Sequence, residues 1–175
     1  MKKKIIFLTF ITICMSTTLV LAWTTANLLS WWMVDSGGHL DWSGSTTFSS
    51  QFNSAINTWN NYKSGVIRKD TLLTVNDVTI KDVAYISQDV YARTTAEKSS
   101  GKTTGEIKFA TSILNGASNS LKKAVMIHEL GHALGLDHYT GDTKSVMYPV
   151  ASESICNTTL TAYDKQAYDA SSDRY

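Results

Sequence analysis

Three histidines in eleven residues constrain this chain more than any other feature. Residues 128–138 read His-Glu-Leu-Gly-His-Ala-Leu-Gly-Leu-Asp-His. On a helix, His128 and His132 lie one turn apart on the same face, about 6 Å along the axis, so their imidazoles can converge on one metal ion. Gly135 can end that helix in a left-handed turn and bring His138 back as a third ligand. Three imidazoles leave a fourth position open, which marks a catalytic rather than a structural zinc site. Glu129 follows the first ligand, and its carboxylate can reach a water on the same ion as a general base. Three of the four histidines in the chain fall within this window. An alternative third ligand is Glu153, in an Ala/Ser-flanked stretch without helical pattern.

The surrounding sequence supports a helix from Asn119 to Leu134. Leu121, Ala124, Val125, Ile127 and Leu134 supply buried contacts, and Ser118 or Asn119 can cap its start. An earlier helix follows from Phe48, Phe52, Ala55, Ile56 and Trp59, one apolar stripe capped by Ser45, Thr46 or Thr47. A last helix is expected from Thr161 to Ala170. Trp31–Val34 reads as a first strand, and Val66–Val75 and Val78–Ile86 as two more, split by the turn pair Asn76-Asp77. Residues 93–105 are polar and read as a surface loop, with a short strand at Glu106–Ala110. Helices and strands together give an α+β fold.

The first 22 residues stand apart. Lys2, Lys3 and Lys4 precede an apolar run ending Val20-Leu21-Ala22, the layout of a secretory signal peptide, which leaves residues 23–175 as one catalytic domain. An uncleaved N-terminal membrane anchor is the alternative. Without those three lysines the chain has 13 basic and 15 acidic side chains, a net charge of −2 that offers nucleic acid no electrostatic footing. Cys156 is then the single cysteine, so no internal disulfide forms. A secreted monomer, not bound to membrane, is expected.

The run from His128 to His138 resembles the extended zinc motif of the metzincins. Ser145-Val146-Met147-Tyr148-Pro149 resembles their Met-turn in its matrixin form, with Met147 and Pro149 in the structural positions. Leu160-Thr161-Ala162-Tyr163-Asp164 is similar to the opening of the matrixin C-terminal helix. The resemblance implies a mixed, twisted sheet of about five strands with three helices and an active-site cleft across the front. It implies a zinc endopeptidase with one catalytic zinc. It also implies that protein or peptide substrate binds as an extended strand on a sheet edge at Ile107, Phe109 and Ala110. A zinc-dependent binding protein of the same fold, without general proteolysis, is the alternative. There are departures. Only His39 lies outside the motif, too few for the family's second, structural zinc. Ala151 stands where the family has a tyrosine in the specificity-pocket wall. Calcium is allowed for but assigned to no site: Asp35, Asp41, Asp77 and Asp82 are scattered in sequence and read as solvated surface.

Overall fold

The structure, a computed structural model, describes residues 26–99 and 101–175. The segment 1–22, expected from sequence to be a signal peptide, lies outside them. Five strands form one mixed sheet: β1 (Leu40–Gly44), β2 (Ile67–Lys69), β3 (Val78–Val83), β4 (Ala92–Ser99) and β5 (Lys102–Ala110), in the order β2-β1-β3-β5-β4. All neighbours pair in parallel except β4 and β5, which are antiparallel. The helices are α1 (Ser49–Asn60), α2 (Thr111–Leu114), α3 (Asn119–Ala133) and α4 (Ala162–Ser172). Three are long, as expected, and α2 is a single extra turn.

The stripe on α1 buries Phe52, Ala55, Ile56 and Trp59. Phe52 packs edge-on between Trp42 of β1 and Phe109 of β5, with ring centroids 5.1 and 5.9 Å away. Trp59 reaches the other way and donates its indole N–H to the Ile127 carbonyl of α3 at 3.1 Å. α1 therefore fixes α3 relative to the sheet. No side chain caps it, since Phe48 stands at the N-cap; the turn before it is tied instead to the end of β3, where Asp82 accepts from Thr47 N at 2.8 Å and from the Thr46 hydroxyl at 2.6 Å. α4 opens with a capping box between Thr161 and Asp164.

Four expectations are corrected. Trp31–Val34 is not a strand; its Met33 N–H instead donates to the Ala133 carbonyl at the end of α3. The strand expected over Val66–Val75 stops at Lys69, and Leu72 and Leu73 are fully exposed, at 105% and 97%. The loop expected over residues 93–105 is most of a hairpin, with Gly101 at φ +83° in its turn. Its polarity misled because β4 lies at the sheet edge and shows threonine, lysine and glutamate to solvent, which protects an open edge. Finally, Ile107, Phe109 and Ala110 are not on the edge. They belong to β5, flanked by β3 and β4, and are 0% exposed. Of the two edge strands, β2 and β4, the one beside the three histidines is β4.

Hydrogen bonding shows which β4 groups face outward. Ala110 N–H donates to Tyr91 O at 2.8 Å, and the register continues without a bulge. Antiparallel pairs alternate, so Arg93 and Thr95 bond to β5 while Ala92, Thr94 and Ala96 turn their N–H and C=O toward the free edge.

Candidate metal centre and active-site cleft

α3 begins at Ser118, whose hydroxyl accepts from Leu121 N at 3.1 Å. It ends in a Schellman motif: Gly135 N donates to His132 O at 2.8 Å and Leu136 N to Gly131 O at 3.0 Å. Gly135 has φ +90°, a conformation glycine adopts without strain. That reversal swings residues 136–138 back beside the helix. Gly131 has a different purpose, since a Cβ there would collide with Met147 Sδ.

The three imidazoles meet. His132 Nε2 lies 3.0 Å from His128 Nε2 and 3.2 Å from His138 Nε2, and the remaining pair is 3.2 Å apart. Tetrahedral ligands at zinc–nitrogen distances of 2.0–2.1 Å stand about 3.3 Å apart, so the donor set fits that ion. The opposite ring nitrogens are fixed: His128 Nδ1 donates to Val146 O and His132 Nδ1 to Leu136 O, both at 2.8 Å. Each Nε2 is then left with its lone pair directed at the common point. Burial pulls the pKa of His128 and of His132 down to about 4, so both rings stay neutral, as ligands must be.

Two long-range supports hold this arrangement. Asp164, fully buried at the start of α4, accepts from the Ser145 hydroxyl at 2.5 Å and from Val146 N at 3.2 Å. It thereby sets the carbonyl that orients His128. The N-terminal segment clamps the third histidine: Asp137 N donates to Asn27 O at 2.9 Å, and Asn27 Nδ2 donates to His138 O at 2.9 Å. Asp137 Oδ1 in turn accepts from His138 N at 2.7 Å. Nothing in the local sequence around residue 27 signals this contact.

Glu129 is 7% exposed and lies beside the histidines in a cleft of about 470 Å³. Desolvation raises its carboxyl pKa, with His132 and the Thr94 hydroxyl opposing the shift. The cleft runs between the β4 end (Tyr91 to Thr94) and the wall formed by Tyr148, Pro149 and Ala151. Met147 is fully buried behind the histidines. Glu153 is not a ligand. It accepts from Ser118 N at 2.8 Å, ten residues before His128 and about 15 Å along the helix.

The aspartates depart from expectation. Asp35, Asp41 and Asp77 bring their carboxylates within 4.8 Å of one another, and Asp41 and Asp77 are buried. Two side-chain cations occupy the cluster. Arg68 grips Asp41 with two 2.8 Å hydrogen bonds, and Lys102 Nζ is 2.8 Å from Asp77 Oδ1. Burial still pushes the Asp77 pKa up, against the Lys102 contact.

Fold and cleft together are those of a metalloprotease catalytic domain, with three histidines placed so that they could hold one metal ion. The matrixin family model matches residues 22–170, and the chain belongs to the matrixins, a family of zinc-dependent metalloproteases. Comparison with curated proteins finds no match. The family is consistent with the mixed five-stranded sheet and its helices, and implies a peptide substrate. Among the described residues, no helix is long and apolar enough to cross a membrane.

Proposed function

We propose that this chain is a secreted zinc endopeptidase in which His128, His132 and His138 hold one catalytic zinc and Glu129 is the general base. The convergence of the three Nε2 atoms within 3.0–3.2 Å, with a buried carboxylate beside them, carries the reading. A zinc ion supplies Lewis acidity there, lowering the pKa of water and polarising a carbonyl. Glu129 takes a proton from the attacking water, and its desolvation makes the carboxylate a stronger base than one in bulk solvent. The same carboxyl then gives that proton to the leaving amine. The substrate lies along β4 as an added strand, bonded to the outward N–H and C=O groups of Ala92, Thr94 and Ala96. Tyr148, Pro149 and Ala151 bound the pocket for a neighbouring substrate side chain. Lys2–Lys4 and the apolar run to Ala22 support export, with the mature chain acting as a monomer.

Zinc content and casein hydrolysis, measured on residues 23–175 with and without chelator, test this reading. One equivalent of zinc and chelator-sensitive cleavage are expected, with Glu129→Ala keeping the zinc and losing cleavage by several orders of magnitude. Zinc without cleavage of any peptide library would favour a binding protein of the same fold. Normal hydrolysis by Glu129→Ala would overturn the mechanism.

A further inference from the structure

Thr94 reaches from β4 across the cleft floor to α3. Its hydroxyl lies 2.5 Å from Glu129 Oε2 and 3.1 Å from the Glu129 carbonyl oxygen. A threonine hydroxyl has one proton to donate, and a bond to a carboxylate is stronger than one to a neutral carbonyl, so Oε2 receives it. Among the described residues Oε1 has no hydrogen-bond partner. The carboxylate therefore has one oxygen tied to the sheet and one free to take a proton. A glutamate χ3 torsion is otherwise broad, and small misplacements of a reacting group are costly in rate. The backbone of the same residue points toward the free edge of β4, because the pair Thr94↔Ile107 falls between hydrogen-bonded pairs.

We propose that Thr94 is a positioning residue for Glu129, joining the substrate-binding edge to the base; this rests on the reading of Glu129 as the base. Thr94 transfers no proton itself. Its hydroxyl holds Oε2, so Oε1 faces the reacting water. Its main chain carries substrate at the neighbouring register position, so substrate and base share one rigid strand. The polar run Arg93-Thr94-Thr95 gives no hint of this in sequence, since the partner is 35 residues away.

The test uses Thr94→Val, Thr94→Ser, Glu129→Ala and the double variant Thr94→Val/Glu129→Ala, each as residues 23–175. Valine keeps the shape and strand preference of threonine but has no donor, whereas serine keeps the donor. For the zinc-loaded Thr94→Val protein, kcat for peptide hydrolysis should fall about 10- to 100-fold. KM should stay within about twofold, because the main-chain bonds to substrate remain. Zinc content should stay at one equivalent, and Thr94→Ser should restore most of the rate. If Thr94→Val does not fold, Thr94→Ala carries the same expectation. An independent readout is melting of the metal-free proteins: Thr94→Val should lower the melting temperature more in the parent than in the Glu129→Ala background, where the hydroxyl can still donate to the carbonyl of residue 129.

An unchanged kcat, a change confined to KM, or failure of serine to rescue would each overturn the proposal. So would an equal melting shift in both backgrounds, which would show that the hydroxyl supports the strand without acting on Glu129. These failures are separable from failure of the base assignment, which would appear as activity in Glu129→Ala itself.

Discussion

Among the described residues, three side chains able to hold a metal ion gather in each of two places, His128/His132/His138 and Asp35/Asp41/Asp77, and the chain builds around them in opposite ways. At the histidines the supporting groups are carbonyls that accept from the far ring nitrogens, so nothing positive competes for the Nε2 lone pairs. At the aspartates the supporting groups are an arginine and a lysine that already neutralise the donors. Equal ligand counts thus give one site prepared for an ion and one already closed by the chain's own cations. Donor number alone does not make a metal site; what matters is whether the donors are left uncompensated.

The largest effect is expected from removing one member of each triad. His132→Ala should abolish zinc retention after dialysis and with it hydrolysis, by several orders of magnitude, whereas Asp35→Asn should leave zinc content at its parent value. Loss of zinc from both variants would break the distinction. Next, Arg68→Ala leaves Asp41 buried without its partner. Breaking a buried pair is costly, but Arg68 is over a third exposed, so a loss of about 2 kcal/mol in urea unfolding is expected. Calcium should then raise the melting temperature of Arg68→Ala and not that of the parent. A calcium effect on the parent equal to that on the variant would show the cluster to be open.

The two sites also differ in the sign of their pH dependence. His128 and His132 have folded pKa values near 4, below the ordinary 6.5, so the unfolded chain binds protons first as pH falls. Their contribution therefore costs the metal-free protein stability between pH 6.5 and 4. Asp77 has a raised pKa, so its folded form takes up a proton before the unfolded form and gains stability as pH falls through that value. Unfolding midpoints at pH 7, 5.5 and 4.5 should therefore fall with acid, and replacing Asp77 by Asn should steepen the fall. A midpoint that rose between pH 7 and 5.5 would contradict the histidine assignment. The smallest effect is expected at Asn27→Ala, which removes one bond to the His138 carbonyl. About 1 kcal/mol, or roughly a fivefold weaker zinc affinity, should appear in competition with a chelating dye.

Much of the histidine site was legible because its logic is local. The i, i+4 spacing, the adjacent Glu129 and the glycine that closes α3 all lie within eleven residues, and helix geometry alone converts them into a converging set. The start of α4 near Thr161 was readable as well, whereas its capping box was not, and the Met-turn was placed by resemblance to the matrixins. The hairpin of β4 and β5 was not, because its edge strand is polar and periodicity alone does not separate a solvated strand from a loop. The open edge was consequently placed one strand too far in, on Ile107, Phe109 and Ala110, whose apolar character is that of an interior strand.

The sequence by itself therefore determined the histidine triad, the glutamate beside it and the helix that carries them, since each depends on contacts within a turn or two of chain. Tertiary structure alone decided which strand forms the open edge, that Asp35, Asp41 and Asp77 meet and are closed by Arg68 and Lys102, and that Asn27 and Thr94 touch the site. The hydrogen bonds among them join positions from 27 to 111 residues apart and arise only when the sheet closes and α3 docks on it. No local propensity encodes them, because the free energy that selects them is the packing of the whole core.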